Sequence, residues 1–162
     1  MLFRSVVLHP GAAAGSTRES GLVRIVEGLR QLLTEQDGRT MVLLEHTAGQ
    51  GSTLGSSFEE LATILEGLDG HPRVGLCLDT CHLLAAGYDL ASPDGYASTF
   101  DAFGRLIGFD RLKVIHANDS KKPLGSRVDR HTHIGDGFVG IDGFRRLVCD
   151  SRLAALPFVL ET

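Results

Sequence analysis

Five short apolar segments of the chain end in side chains that can bind a metal ion. The residues at these five ends are His9, Glu45, Asp79, His116 and Glu161. Imidazole and carboxylate groups without thiolates suit Zn²⁺ and also accommodate Mn²⁺ or Fe²⁺. Because the carboxyl ends of parallel strands meet at one edge of a sheet, where α/β proteins build their sites, the pattern predicts one converged metal site.

Three further candidate ligands lie outside the strand ends. His82 follows Asp79 by three residues across a predicted strand-to-helix turn, so both side chains are expected in one cleft. Asp129 and His131 are separated by one residue in the polar stretch Ser126–Gly137, where we expect neither a regular strand nor a helix. An extended backbone places residues i and i+2 on the same side, so both could bind one ion. Eight candidates exceed the needs of one ion, and two or three clustered ions are typical of phosphoryl chemistry.

Four basic residues lie in the sequence just before and between Asp129 and His131. Lys121, Lys122, Arg127 and Arg130 fall within ten residues, although the formal net charge of the chain is −4. The overall charge gives no sign of nucleic-acid binding, but a local basic patch can bind phosphates. Beside clustered divalent ions, this patch indicates a phosphodiester substrate.

The elements that must position these groups alternate between strands and helices. Nearly continuous apolar runs are typical of strands buried on both faces of a parallel sheet. These runs cover Ser5–Pro10, Met41–His46, Arg73–Asp79, Leu112–Ala117 and Leu156–Glu161. Apolar side chains at helical spacing predict helices over Leu22–Leu33, Phe58–Leu68 (with Ser57 and Glu60 as a capping box), Phe100–Ile107 and Phe144–Val148.

This βα repeat predicts an α/β fold of about five parallel strands with flanking helices and right-handed crossovers. A closed barrel needs eight strands, so the predicted sheet is open and exposes two edges. Exposed strand edges invite pairing with another chain, and we therefore expect self-association through them.

Composition sets further bounds on the chain. Its 162 residues, 43% of them hydrophobic, suit one globular domain. No apolar run approaches the roughly 18–20 residues that span a bilayer, and the N-terminus lacks a signal-peptide pattern, so a cytoplasmic protein is expected. Cys77, Cys81 and Cys149 are expected to be small core residues. His46, next to Glu45, is expected either behind the site or at the surface.

Two longer motifs carry a family resemblance. LDTCHLLAAGYD (Leu78–Asp89) and HANDSKKPLGSRVDRH (His116–His131) strongly resemble endonuclease IV, the metal-dependent apurinic/apyrimidinic endonuclease of base-excision repair. LHPGAAAG, LLEHTAGQGS and FVLET extend the likeness, in the same order, over essentially the whole chain. The resemblance implies a partial TIM barrel, formed by residues 1–162 as a single domain, because the N-terminal portion and last helix of the family have no counterpart here.

The resemblance also implies roles for individual residues. His9 matches a ligand of the first zinc ion, and Glu45 matches the glutamate that bridges the first and second. Asp79, His116 and Glu161 match ligands of the second ion, and His82, Asp129 and His131 match those of the third. Glu161 and Glu45 are the residues that the resemblance places at the reacting centre, with Glu161 aligning or activating the attacking hydroxide. The family often has asparagine where this chain has His46.

The implied activity is hydrolysis of double-stranded DNA 5′ to an abasic site, leaving a 3′-hydroxyl and a 5′-deoxyribose phosphate. Lys121, Lys122, Arg127 and Arg130 are the expected phosphate contacts. Two alternatives stay open: a relative that binds metal but is weakly active or inactive, and a sugar isomerase or epimerase of the same barrel superfamily. The basic cluster disfavours a sugar substrate, which offers no phosphodiester to hold.

Overall fold

The computed structural model of the protein describes residues 4–36 and 38–161, so residues 1–3, 37 and 162 lie outside the description. Within these ranges the strands are Ser5–Leu8 (β1), Met41–Glu45 (β2), Val74–Asp79 (β3), Leu112–His116 (β4), Asp119–Ser120 (β5), His131–Thr132 (β6) and Phe158–Val159 (β7). The helices are Arg18–Glu35 (α1), Phe58–Gly67 (α2), Thr80–Ala86 (α3), Pro93–Leu106 (α4) and Gly140–Cys149 (α5), with a 3₁₀ turn at Phe109–Arg111.

Five strands form one parallel sheet in the order β1-β2-β3-β4-β7. Helix α1 packs against α2, and α2 packs against α4, so these helices line the sheet as one layer. The predicted α/β architecture of five parallel strands with flanking helices is confirmed. Strands β5 and β6 form a separate antiparallel ladder.

The register of the sheet aligns the ends of its strands. Glu45 at the end of β2 pairs with Cys77, and Asp79 at the end of β3 pairs with His116 at the end of β4. His116 in turn pairs with Val159, two residues before Glu161. Neighbouring strands in a sheet are about 4.8 Å apart, so this register brings the strand-end side chains within reach of one another.

The core lies between the sheet and the helices. Every residue of β3 is buried, and Phe58, Leu61 and Ile64 of α2 are fully buried against the sheet. Ser57 caps α2 by accepting a hydrogen bond from the Glu60 amide. The Glu60 carboxylate accepts from the amides of Gly55 and Ser56, one residue short of the reciprocal bond that a full capping box makes.

Three local expectations were wrong. Strand β7 covers only Phe158–Val159, and a two-residue strand, His131–Thr132, forms within the stretch expected to be irregular. Val148, whose helical spacing predicted an apolar face shared with Phe144 and Leu147, is 64% exposed, and Cys149, expected in the core, is also exposed. Phe144 and Leu147 share the buried face of α5, and the described residues cover no second face of that helix.

The sheet is open at both ends. Strands β1 and β7 are outermost, and each pairs on one side only within the described ranges. Large apolar side chains are exposed at both ends, among them Val6, Leu8 and Leu160. None of the helices in the described parts of the chain combines the length and the hydrophobicity that a membrane span requires.

Candidate metal centre

The carboxyl edge of the sheet brings four of the five strand-end residues into one group. Ligand atoms of Glu45, Asp79, His116 and Glu161 all lie within 4.8 Å of one another. His116 Nδ1 lies 2.9 Å from Glu45 Oε1 and 3.0 Å from Glu161 Oε2. The first three side chains are buried, whereas that of Glu161 is 40% exposed and can meet a substrate.

A second group forms where the loop after β5 approaches helix α3. The Asp129 carboxylate lies between two imidazoles, with Oδ2 3.1 Å from His82 Nε2 and Oδ1 3.2 Å from His131 Nε2. These three ligand atoms also lie within 4.8 Å of one another. Residues far apart in the chain therefore converge on one point.

The fifth strand-end residue, His9, completes a third group with Glu45 and His82. His9 Nε2 lies 3.1 Å from Glu45 Oε2, and His82 Nδ1 lies 3.6 Å from Glu45 Oε1. Since Glu45 and His82 each belong to two of the groups, all eight predicted residues form one continuous cluster. Their role as ligands stays a prediction.

Two thiols border this cluster. Cys77 lies close to Glu45 and His116, and Cys81 lies close to Asp79 and His131. Burial raises the pKa of the Cys77 thiol far above its ordinary value, which keeps it neutral and a poor ligand. The Cys81 sulfur faces the backbone carbonyl of Arg130 at 3.6 Å.

The donor geometry fits divalent ions. Nε2 of His82 and Nε2 of His131 are buried, and neither has a hydrogen-bond partner among the described residues despite the nearby Asp129 oxygens. Both nitrogens face the same carboxylate at ion-pair distance, so the three side chains converge on a point that one cation can share. Nitrogen and oxygen donors in this arrangement are those that Zn²⁺ and Mn²⁺ accept.

The buried carboxylates need positive charge nearby. Burial raises the pKa of Asp79, which lies in an almost fully enclosed position. Burial also opposes ionisation of Glu45, but its contacts with His116 and His9 outweigh that effect and lower its pKa to about 2. Glu45 is therefore an anion at neutral pH and can attract a cation.

The imidazoles of the second group carry that positive charge when no metal is bound. Burial opposes protonation of His82, but Asp129 and Asp79 outweigh it and raise its pKa to about 9. The contact with Asp129 raises the pKa of His131 to about 10. A metal ion must displace these protons, because only neutral imidazole coordinates.

His82 is oriented by the backbone of His46. His82 Nδ1 lies 2.9 Å from the His46 carbonyl oxygen, to which it donates, so Nε2 is free to face Asp129. The His46 ring is fully buried between Phe58 and Tyr88, with ring centroids 5.6 Å and 5.3 Å away. Burial lowers the pKa of His46 to about 3, so its ring is neutral and lies behind the cluster rather than in it.

Comparison with known proteins places this chain in a family. Residues 4–162 match the family model described as "Xylose isomerase-like TIM barrel". The chain belongs to the xylose isomerase-like TIM barrel family. Within that family it is 52% identical over 158 residues to the "Probable endonuclease 4" of Chloroflexus aurantiacus and 48% identical over 159 residues to that of Geobacter sulfurreducens.

The alignments cover 97% and 98% of this chain but only 55% and 54% of those two relatives, so the chain spans about half their length. The crystal structure of endonuclease IV from Thermus thermophilus superposes with a TM-score of 0.82 at 40% identity, over 98% of this chain and 55% of that one. The resemblance to endonuclease IV is thus confirmed, in part of that protein's length. A D-tagatose 3-epimerase-like protein, with a TM-score of 0.70 at 21% identity, shares the fold alone.

The sequence pattern did not predict the role of one buried polar residue in this TIM barrel member, Asn118. The Asn118 side-chain amide donates to Asp79 Oδ2 at 2.5 Å and to Glu161 Oε2 at 3.1 Å. Its carbonyl oxygen accepts from the Glu161 amide at 3.0 Å. Asn118 therefore fixes two of the cluster's carboxylates. Its position two residues after His116 in an extended segment was the available signal.

The basic residues do not form one patch. Arg130 lines a cavity of about 250 Å³ together with His9, His82 and Asp129, at the mouth of the cluster. Arg127 lines a separate cavity of about 360 Å³ with Arg18, and its backbone has a left-handed φ of 54°.

The two lysines lie at the start of the same loop, and their side chains are exposed. The Lys121 amide pairs with the Arg130 carbonyl at 2.9 Å. The structure therefore brings Arg130 to the cluster of candidate ligands, whereas Lys121, Lys122 and Arg127 share only its loop. His133 and Asp136 are exposed and belong to none of the ligand groups found among the described residues.

The raised pKa values of His82 and His131 predict proton release on zinc binding. Both groups are protonated at pH 7, so Zn²⁺ binding must release two or more protons, to which His9 and His116, whose pKa values are also raised, can contribute, and affinity must fall as the pH falls. Isothermal titration calorimetry in two buffers of different ionisation enthalpy measures this number directly. His133→Gln, which changes an exposed histidine of the same loop, should release as many protons as the unmodified protein. Zinc binding at pH 7 without proton release would contradict these protonation states.

Proposed function

We propose that the protein is a zinc-dependent endonuclease of the endonuclease IV type, acting in the cytoplasm. It would hydrolyse the phosphodiester of double-stranded DNA 5′ to an abasic site, leaving a 3′-hydroxyl and a 5′-deoxyribose phosphate. The observation that carries this proposal is the continuous cluster of three ligand groups joined by Glu45 and His82. The endonuclease 4 relatives at about 50% identity support it, although each extends well beyond this chain.

The eight side chains of the cluster would bind two or three Zn²⁺ ions, and Mn²⁺ also fits the donor set. His9 and Glu45 would hold the first ion, and Glu45 would also contact the second. Asp79, His116 and Glu161 would hold the second ion, and His82, Asp129 and His131 would hold the third. Such ions, when bound, lower the pKa of water and neutralise charge that develops on a phosphate.

The two glutamates differ in what they can reach. The Glu45 side chain is only 7% exposed and contacts His9 and His116, so it holds the cluster together. The Glu161 side chain is 40% exposed, and its Oε2 accepts from Asn118. Glu161 is thus held by Asn118 while still accessible, and would align an attacking water and take up its proton. Catalytic roles are therefore assigned to Glu161 and Glu45.

Arginine and lysine side chains would hold the DNA backbone. Arg130 shares a cavity with three proposed ligands, which favours contact with the phosphate under attack. Lys121, Lys122 and Arg127 are exposed nearby and would contact flanking phosphates, so binding should weaken with salt. A nucleotide that has lost its base leaves the stack at little cost, which favours abasic sites as the target.

A second candidate is a protein that binds the metals but incises DNA weakly or not at all. The observation that favours it is the span of this chain, 55% of the length of the Chloroflexus aurantiacus relative. The sugar isomerase or epimerase alternative rests on a neighbour that shares only the fold, and Arg130 beside the cluster does not suit an uncharged sugar.

Incision of an abasic-site duplex separates these candidates. The zinc-loaded protein should cut the duplex, EDTA should abolish cutting, and Glu161→Gln should lower the rate by about 10²–10⁴-fold because it removes the proton acceptor. Glu66→Gln, which changes an exposed glutamate of α2, is the matched control and should cut normally. Bound zinc with no incision above background would favour the second candidate and remove the enzyme claim.

We also propose that residues 1–162 behave as one domain that self-associates through the open sheet edges. Val6 and Leu8 of β1 are 52% and 42% exposed on an edge strand, and pairing with another chain would bury them. Sedimentation velocity at micromolar concentration should show oligomers that Val6→Lys dissociates, because a charge disfavours edge pairing. Val148→Lys, on the outer face of α5, should leave them intact. A monomer at every concentration that unfolds cooperatively would contradict this proposal.

A further inference from the structure

A long loop carries two of the proposed ligands with little regular structure to hold it. Residues 121–139 join β5 to α5 and contain Asp129 and His131, and only His131–Thr132 is a strand. Connections in compact domains are usually about 4–6 residues, and a longer one needs other contacts to keep one conformation. The position of both ligands therefore depends on what fixes this loop.

The side chain of Asp119, just before the loop, supplies such contacts. It is fully buried, and its carboxylate accepts hydrogen bonds from five backbone amides. Oδ1 accepts from Ser120 at 2.8 Å and Val139 at 2.8 Å. Oδ2 accepts from Gly135 at 3.0 Å, Gly137 at 3.1 Å and Gly140 at 3.1 Å.

These bonds close the loop at its two ends. Asp119 and Ser120 stand at its start, while four of the five amides belong to residues 135–140 at its end. We call the carboxylate and these five converging amides the Asp119 nest, and hydrogen bonds to a charged acceptor are about twice as strong as neutral ones. The Phe138 amide adds a bond to the Ser120 carbonyl at 2.9 Å.

The closed ends in turn hold the ligand segment. Asp119 pairs with Thr132 and Ser120 pairs with His131 in the β5–β6 ladder, and the Lys121 amide bonds to the Arg130 carbonyl. A two-residue ladder is too short to be stable alone, so it depends on the contacts on either side of it. Asp119 belongs to none of the ligand groups found in the described part of the chain.

We propose that Asp119 is a positioning residue that holds Asp129 and His131 opposite His82, and so fixes the proposed third metal ion. The proposal rests on the proposed metal site for its consequence, but the positioning itself is a property of the metal-free protein. It predicts that damage to the Asp119 nest loosens the ligand segment ten residues away while the sheet-edge ligands keep their places.

Two variants disturb the nest in different ways, one at its carboxylate and one at a residue that donates to it. Asp119→Asn keeps the shape but turns one acceptor oxygen into a donor that faces backbone amides. Gly137→Ala keeps the charge, and its added Cβ would collide with the Ser120 carbonyl oxygen and with Asp119 Oδ1, so it forces the end of the loop away from both, at a glycine without a left-handed φ. Asp136→Asn, exposed in the same loop, and Gly28→Ala, which adds a methyl to open space on α1, are the matched controls.

The first measurement is amide hydrogen exchange of the metal-free proteins. Asp119→Asn and Gly137→Ala should speed exchange at least tenfold across residues 129–132 as well as 135–140, and both controls should match the unmodified protein. Faster exchange confined to 135–140 would overturn the proposal. So would failure of both variants to fold, since Asp119 would then serve the whole domain.

The second measurement is Zn²⁺ binding by calorimetry. Both nest variants should weaken one class of zinc site by about 10–100-fold, as loss of a residue that orients ligands does, and leave the remaining sites unchanged. Equal weakening of every site, or none, would contradict the assignment to the third ion. If the unmodified protein bound no zinc, the proposed function would fail, whereas the exchange result would still decide whether Asp119 positions the loop.

Discussion

The concentration of ionisable groups at the carboxyl edge of the sheet is the constraint on which the rest of the structure depends. Asp79 and Glu45 are buried there, and a buried carboxylate is costly unless positive charge or hydrogen bonds compensate it. In the metal-free protein the compensation comes from protonated imidazoles, since the pKa of His82 is raised to about 9. Divalent ions would supply it more completely, because they allow the imidazoles to become neutral ligands.

This constraint explains why so much of the surrounding structure serves orientation. The His46 carbonyl accepts from Nδ1 of His82 and so orients its ring, and Asn118 bonds to Asp79 and Glu161 together. Asp119 closes the loop that brings Asp129 to the cluster. Each of these groups hydrogen-bonds to a proposed ligand or to the backbone that carries one.

The sequence could predict the sheet and the converging side chains because both follow from local patterns. Continuous apolar runs mark buried parallel strands, and the parallel register then places Glu45, Asp79 and His116 side by side. The roles of Asn118 and Asp119 could not be predicted in this way. Their partners lie up to 43 residues away for Asn118 and up to 21 for Asp119, and no periodicity records such contacts.

Local sequence patterns also could not predict which side chains are buried at the ends of helices and strands. Val148 fits the helical spacing of an apolar face, yet only a neighbouring element could bury it, and the described residues provide none there. His46 shows the opposite case, a polar ring fully buried because Phe58 and Tyr88 happen to enclose it. The type of a side chain sets its preference for burial or exposure, whereas the neighbouring elements determine whether it is actually covered.

The number of zinc ions bound per chain, counted by native mass spectrometry after dialysis against Zn²⁺, tests the central claim most directly. The account predicts two or three ions, and Glu45→Ala should remove more than one of them because Glu45 joins two ligand groups. Glu66→Ala should leave the count unchanged, since Glu66 is exposed on α2. A count of one or none for the unmodified protein, or equal counts for the two variants, would contradict a shared multinuclear centre.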